Sequence, residues 1–133
     1  MEIDDIVKFT EMIPYSAALQ EMLSADGLVL FQAATCNHQI PAKAYEYFRA
    51  GRPVLGLTDP AGDTGQLLQS VGIGHIAALE NKGEVARVLD RFITELRNKS
   101  ASGVDPATAS RYSRRNLTKN LADALDSVST KCL

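Results

Sequence analysis

The sequence predicts an α/β fold in which a parallel sheet of about four strands is flanked by helices. Two observations lead to this prediction. Short runs of consecutive apolar residues, such as Leu28–Phe31 and Val54–Leu57, are bounded by glycine, proline or polar residues, which is typical of strands covered on both faces. These runs alternate about four times with segments whose apolar residues recur at helical spacing. Such alternation favours parallel strands joined by right-handed crossovers.

Four segments are predicted to be strands. Leu28–Phe31 and Val54–Leu57 are continuous apolar runs, and Gly74–Leu79 is a third, mostly apolar segment. Ile6–Phe9 is predicted to be a short first strand, although acidic residues precede it. Together these segments would give a small sheet of four strands.

Helices are predicted between the strands and at the C-terminal end. The four predicted between strands or directly after the sheet span 14–24, 41–50, 63–71 and 84–97. A long final helix is expected to begin at Asp105-Pro106, an N-cap followed by a first-turn proline, and to continue to about Ser129. It is expected to bury Tyr112, Leu117, Leu121, Leu125 and Val128.

The length and composition indicate one soluble domain. The 133 residues divide into a half-domain (1–98), a small polar linker (99–105) and the C-terminal helix (106–133). A net charge of −2 and the lack of tryptophan disfavour a nucleic-acid surface. There is no apolar run of 18 residues, and the N-terminus is acidic, so no membrane span or signal peptide is expected. Two cysteines far apart in sequence are consistent with a cytoplasmic location.

The stretch 39–58 organises the rest of the chain. Pro41 suits a first helical turn, and Gly51 stands where a left-handed C-cap is needed. Ala44, Tyr47 and Phe48 form the expected buried stripe. Ligands of parallel sheets bind beyond the carboxyl ends of the strands, where loops 33–40 and 58–63 are predicted. The helices that follow these loops aim their N-termini at the same crevice, which favours an anion such as phosphate.

The other face of this helix carries Lys43 and Glu46, three residues apart. The pattern Pro41-x-Lys43-x-x-Glu46-Tyr47-x-x-x-Gly51-x-Pro53-Val54 resembles the donor-binding stretch of GT-B-type glycosyltransferases of family 4. The resemblance covers about residues 5–95, in the order of the second half of such an enzyme's C-terminal domain. It implies a Rossmann-like fold and binding of a nucleotide-sugar donor.

The resemblance also implies roles for single residues. Glu46 would accept hydrogen bonds from both ribose hydroxyls, and Lys43 would neutralise the departing diphosphate. His38 stands where many relatives have the first glutamate of a Glu-x7-Glu pair, so a retaining mechanism of that family is in doubt. His38 could still contact the sugar or the diphosphate. The other predicted donor contacts are the neighbours Gln39, Ile40 and Pro41 and the backbone of Thr64 and Gly65.

The resemblance implies an enzyme that transfers a sugar from a nucleotide diphosphate, with UDP favoured, to an unknown acceptor. Neither a cofactor nor a metal is expected, since no cluster has metal-ligand spacing. The acceptor domain and the first part of the donor domain lie outside the resemblance, so we expect the chain alone to be catalytically silent. Expected partners are a missing N-terminal domain or a second copy in a homodimer, with no nucleic acid. Arg111, Arg114, Arg115 and Lys119 form a basic patch that could contact a membrane bearing a lipid-linked acceptor.

Other interpretations remain open. A non-catalytic α/β module that binds a nucleotide or a protein is the main alternative, although a receiver-like domain lacks its phosphorylatable aspartate after the Leu28 strand. Sugar-nucleotide epimerases of the same architecture would share the ribose-binding glutamate. Cys36 and His38 lie two apart on a loop without a third orienting group, which disfavours nucleophilic catalysis. His75 is predicted to be structural, and Asp63 or Thr64 to cap the third helix.

Overall fold

The computed structural model of the chain describes residues 5–129, which form an α/β fold around a parallel sheet. The sheet has three strands in the order β1-β2-β3: β1 (Leu28–Phe31), β2 (Val54–Leu57) and β3 (Ile76–Ala77). Leu28 pairs with Val54 and Phe31 with Leu57, so β1 and β2 are in register along their whole length. The predicted fold class is therefore confirmed at the level of an α/β fold with a parallel sheet.

Six α-helices surround the sheet in the described residues: α1 (Tyr15–Ser24), α2 (Ala42–Ala50), α3 (Asp63–Ser70), α4 (Lys82–Arg97), α5 (Pro106–Arg111) and α6 (Arg114–Ser129). A single 3₁₀ turn, Ala34–Cys36, lies between β1 and α2. Local chemistry sets several of the helix ends. Gly51 takes the left-handed conformation at the end of α2 (φ 63°). The Asn81 side chain accepts the backbone N–H of Glu84 at the start of α4.

Apolar side chains are buried on both faces of the sheet, which explains the continuous apolar runs of β1 and β2. The cluster on one face consists of Leu28, Leu30, Ala44, Phe48, Val54, Leu68, Ile73 and Val104. The cluster on the other consists of Leu55, Leu57, Ala77, Val88 and Phe92. Successive residues of β2 thus serve opposite faces. Gly56 lets α3 approach closely, because a Cβ there would lie 2.5 Å from the Leu68 side chain.

The predicted first strand, Ile6–Phe9, is wrong. Residues 7–14 have no regular secondary structure, and the sheet order ends at β1. Phe9 is 90% exposed, so its side chain does not pack against the sheet. A four-residue strand is stable only when it pairs and packs, and neither occurs here. The third predicted sheet segment, Gly74–Leu79, is a strand only at Ile76–Ala77.

The predicted long final helix is also wrong, because it is two helices. The helix is interrupted at Tyr112 and Ser113, where the Ser113 hydroxyl accepts a hydrogen bond from the backbone N–H of Asn116 at 3.2 Å. This serine therefore caps a new helix, α6. Tyr112 is half-buried against Phe48, as predicted. The other four residues expected to be buried are exposed: Leu117, Leu121, Leu125 and Val128.

Two smaller features complete the fold. The segment after α4 is packed onto the domain, with Val104 buried and Gly103 against the backbone of Gly51. Within residues 5–129, no helix has the length and apolar character needed to cross a membrane.

Candidate functional site

The carboxyl ends of β1 and β2 are joined by two polar side chains that directly follow the strands. Thr58 donates its hydroxyl to Gln32 Oε1 at 3.1 Å. Gln32 Nε2 in turn donates to two backbone carbonyls of the next loop, Cys36 O at 3.0 Å and Gln39 O at 2.6 Å. Both side chains are buried. The Gln32 side-chain amide therefore accepts a hydrogen bond from Thr58 at the end of β2 and donates two to the loop. These bonds fix residues 33–40 over this edge of the sheet.

The start of α3 holds the same loop from the other side. Thr64 is fully buried, and its hydroxyl donates to Gln39 O at 2.9 Å. The Asp63 backbone N–H donates to Asn37 O at 2.9 Å. Asn37 Nδ2 donates to Asp59 Oδ2 at 2.5 Å, a bond to a carboxylate that crosses from one loop to the other. The two loops that the sequence placed at the ligand edge are thus bonded into one unit.

The predicted contacts in these loops fall into two groups. His38, Gln39 and Ile40 are exposed at the surface of the loop, where their side chains are accessible to a ligand. Thr64 and Gly65 are buried beneath it. A Cβ at Gly65 would lie 2.3 Å from Asp59 O, so the glycine is needed for close backbone packing. Thr64 and Gly65 therefore have a structural role in holding the loop, and their contact with a donor stays a prediction.

Lys43 and Glu46 form an ion pair on α2, as their spacing predicted. Lys43 Nζ lies 3.9 Å from Glu46 Oε2, and the side chains are 68% and 34% exposed respectively. The carboxylate is thus partly withdrawn from water, whereas the ammonium group stays solvated. At this separation and exposure the pair contributes little to stability, which leaves the carboxylate available to a ligand.

Glu46 and Lys43 lie along a groove between α1 and α2. Its volume is about 390 Å³, and its α1 wall is largely apolar. The lining residues are Tyr15, Ala18, Leu19, Glu21, Met22, Ala25, Leu28, Lys43, Glu46 and Tyr47. An apolar wall facing a carboxylate and a cation is the usual composition of a small-molecule site.

Tyr47 forms part of the floor of this groove. Burial, and secondly the charge of Glu46, raise the pKa of the Tyr47 hydroxyl above its ordinary value of 10.0. The hydroxyl donates to Val29 O at 3.4 Å, a long bond that ties α2 to β1. Tyr47 therefore stays neutral at physiological pH and orients the face of α2 that carries Glu46.

The structure brings some predicted site residues together and leaves others apart. Lys43 and Glu46 share the groove, and Gln39 and Thr64 share a hydrogen bond. Pro41 is half-buried at the N-cap of α2, between the loop and the groove. Within residues 5–129, no hydrogen bond or ion pair joins the Lys43–Glu46 pair to His38. The loop and the groove are therefore two adjacent surfaces at the start of α2.

Sequence reasoning missed Gln32, Thr58, Asn37 and Tyr15. Gln32 and Thr58 carry one available signal, since each is the polar residue directly after a buried strand. Asn37 and Tyr15 gave no such signal, because their partners come from other elements of the tertiary structure.

A second cavity, of about 330 Å³, lies near the amino end of β2, between α4 and residues 72–75, which precede β3. His75 packs edge-on against Phe92, and its Nε2 lies 3.0 Å from Glu95 Oε2 without the alignment of a hydrogen bond. Arg91 donates to Gly74 O at 2.8 Å. These contacts fasten α4 to the chain before β3, in keeping with the structural role predicted for His75.

No metal-binding cluster of three or more histidine, cysteine or acidic residues occurs in the described part of the chain. Comparisons with protein-family models, with curated proteins and with solved structures find no match to this chain.

Proposed function

We propose that this chain is the donor-binding portion of a glycosyltransferase that takes a sugar from a nucleotide diphosphate, with UDP as the preferred nucleotide. The observation that carries the proposal is the half-buried Glu46 carboxylate, which stands beside Lys43 and faces the apolar wall of the α1–α2 groove. In this proposal the three-stranded sheet and its helices are part of a Rossmann-like domain of the GT-B type, acting in the cytoplasm.

The ribose is the part of the donor that Glu46 fits best. A carboxylate has two acceptor oxygens, and a ribose offers two adjacent hydroxyl donors. Hydrogen bonds to a charged acceptor are stronger than those between neutral groups. Partial burial of Glu46 reduces competition from water, since only about a third of its side chain is exposed. Glu46 is therefore placed to hold the ribose in a fixed orientation.

The diphosphate needs a cation, and Lys43 supplies one a turn earlier on the same face of α2. Its side chain is 68% exposed, so it can leave Glu46 and turn toward a phosphate without disturbing the core. Charge neutralisation is most valuable when the diphosphate departs as a leaving group. His38 and Gln39, exposed on the loop before α2, are the groups proposed to contact the diphosphate or the sugar.

The base fits the α1 side of the groove. Leu19 and Met22 provide an apolar surface there, and Tyr15 provides an exposed aromatic ring. Aromatic and apolar side chains bind any base through its flat face, so this wall gives affinity without selecting the base. The resemblance alone favours UDP, so UDP is the first donor to test and GDP the second.

A non-catalytic α/β module that binds a nucleotide or a protein is the second candidate. The observation that favours it is the number of large apolar side chains left exposed on α6 and on residues 5–14. Such surface is typical of a protein interaction site.

Calorimetric titration of UDP, GDP and UDP-sugars into the chain tests the proposal. We expect saturable binding of at least one nucleotide that weakens about tenfold or more in Glu46→Gln, because a charge-assisted bond to the ribose contributes about 1.5–3 kcal/mol. Glu11→Gln is the matched control, since Glu11 is exposed and lies outside the groove. No binding of any nucleotide at millimolar concentration, with an intact circular dichroism spectrum, would reject the proposal for this chain.

A further inference from the structure

α6 carries an apolar stripe that the described residues leave uncovered. Leu117, Leu121, Leu125 and Val128 recur at intervals of four, four and three, which places them on one face of the helix. They are 50%, 61%, 60% and 62% exposed. No residue of α6 is buried, and its most extensive packing within the described chain is against α5. A 16-residue helix that buries none of its residues is only marginally stable by itself in water.

The stripe is symmetric about Leu121. Leu117 and Leu125 lie four residues before and after it, and Arg114 and Val128 lie seven residues before and after it. Arg114 falls on the same helix face by this spacing. If two copies of α6 cross antiparallel at Leu121, each leucine meets a leucine, and the aliphatic part of Arg114 covers the partner's Val128. A twofold interface requires a surface of this self-complementary kind.

The charges of α6 also favour an antiparallel partner. Arg114, Arg115 and Lys119 lie in the first half of the helix, and Asp123 and Asp126 in the second. This distribution opposes the helix dipole, which favours acids near the N-terminus and bases near the C-terminus. A parallel copy would place like charges and like dipole ends together. An antiparallel copy places the basic half of each helix beside the acidic half of the other.

We propose that α6 is a dimerisation helix whose occupant is a second copy of this chain, crossing antiparallel at Leu121. The pairing is independent of the α1–α2 groove, so it stands or falls apart from nucleotide binding. The stripe is flanked by the small side chain of Ala124, which allows the two helices to approach closely.

Sedimentation velocity over a micromolar concentration series tests the dimer. Wild type is expected to reach a mass twice the 14.4 kDa of one chain. Leu121→Glu is expected to raise the dissociation constant about a hundredfold, because each substitution occurs twice at the centre of a twofold interface. Ala122→Glu adds the same charge one residue away, off the stripe, and should leave the dimer within about threefold of wild type. A wild type that stays monomeric throughout overturns the proposal, as does equal dimerisation of Leu121→Glu.

Disulfide trapping tests the orientation. In a chain that carries Cys36→Ser and Cys132→Ser, Leu121→Cys is expected to cross-link across the twofold axis. Val128→Cys is expected not to, since antiparallel helices place the two positions about 21 Å apart along the axis. Equal trapping at both positions indicates a parallel pair and contradicts the proposal. Sedimentation of a monomeric chain with vesicles of anionic phospholipid, lost in Leu121→Glu, would assign the stripe to a membrane surface and also overturn it.

Discussion

Gln32 is the residue through which the sheet holds the loop before α2, and Gln32→Glu removes that function with almost no change in shape. The substitution replaces the Nε2 donor with a carboxylate oxygen that faces Cys36 O and Gln39 O. Two donated hydrogen bonds are lost, at about 1 kcal/mol each. The introduced carboxyl must then remain charged beside two carbonyl oxygens or bind a proton.

Protonation of the introduced carboxyl group sets an upper limit to the loss in the free energy of unfolding. Keeping a glutamate with an ordinary pKa near 4.3 protonated at pH 7 costs about 4 kcal/mol, at 1.36 kcal/mol per pH unit. We therefore expect Gln32→Glu to lower the free energy of unfolding by about 2–4 kcal/mol at pH 7. With a urea m-value of about 2 kcal/mol/M, the midpoint should fall by about 1–2 M.

The pH dependence distinguishes this mechanism from general loss of packing. The environment raises the pKa of the introduced carboxyl in the folded state above its unfolded value, so the penalty grows as the pH rises above about 4.3. The difference from wild type should shrink as the pH falls from 7 to 4.5. Urea titrations at both pH values measure it, with Gln20→Glu on the exposed face of α1 as the matched control. If Gln32→Glu and Gln20→Glu unfold at the same urea concentration at pH 7, the anchoring role of Gln32 is refuted.

Three further substitutions test the core, the loop and the groove. Phe48→Ala removes the centre of the aromatic contacts between α2 and the end of α5 and should cost about 3–5 kcal/mol in urea unfolding; a cost below about 1 kcal/mol would contradict the packing. Gly65→Ala forces a Cβ against Asp59 O and should lower the free energy of unfolding by about 1–3 kcal/mol, measured by thermal melts. Gly74→Ala is the control, because a Cβ there meets nothing within 4 Å, and its melting temperature should stay near that of wild type. The raised pKa of Tyr47 means that the unfolded chain loses this proton first, so stability is full below about pH 10 and falls above it. Tyr47→Phe should reduce that alkaline decline in melts from pH 8 to 11, and an unchanged decline would exclude Tyr47 as a cause.

The elements predicted correctly are those whose signal is local. β1 and β2 are continuous apolar runs because both faces of the sheet are covered, and that burial leaves a direct trace in the sequence. α2 is bounded by Pro41 and Gly51, each of which acts through its own backbone geometry. The Lys43–Glu46 pair followed from helical spacing alone.

The errors arose where the outcome depends on tertiary contacts. Ile6–Phe9 has apolar residues, but a strand needs a neighbour, and the sheet order ends at β1. The break before α6 depends on whether the Ser113 hydroxyl turns back to cap Asn116, a choice that composition does not reveal. The stripe of α6 has the periodicity of a buried face, yet periodicity does not say which surface covers it.

The candidate site shows the same limit. Its α2 residues were predicted from spacing and from the resemblance, whereas the groove exists only because α1 packs beside α2. Gln32 meets Thr58 because β1 and β2 pair in register, which places their carboxyl ends side by side. A sequence without known strand pairing does not specify that contact.

The central claim is that the Glu46 carboxylate binds the hydroxyls of a ribose, and a comparison of UDP with 2′-deoxy-UDP tests it most directly. Titration of both nucleotides into wild type and Glu46→Gln forms a thermodynamic cycle between one carboxylate and one hydroxyl. We predict that wild type binds UDP about tenfold or more tightly than the deoxy nucleotide, and that this preference largely disappears in Glu46→Gln. An equal preference in both proteins, or none in wild type, would contradict the account.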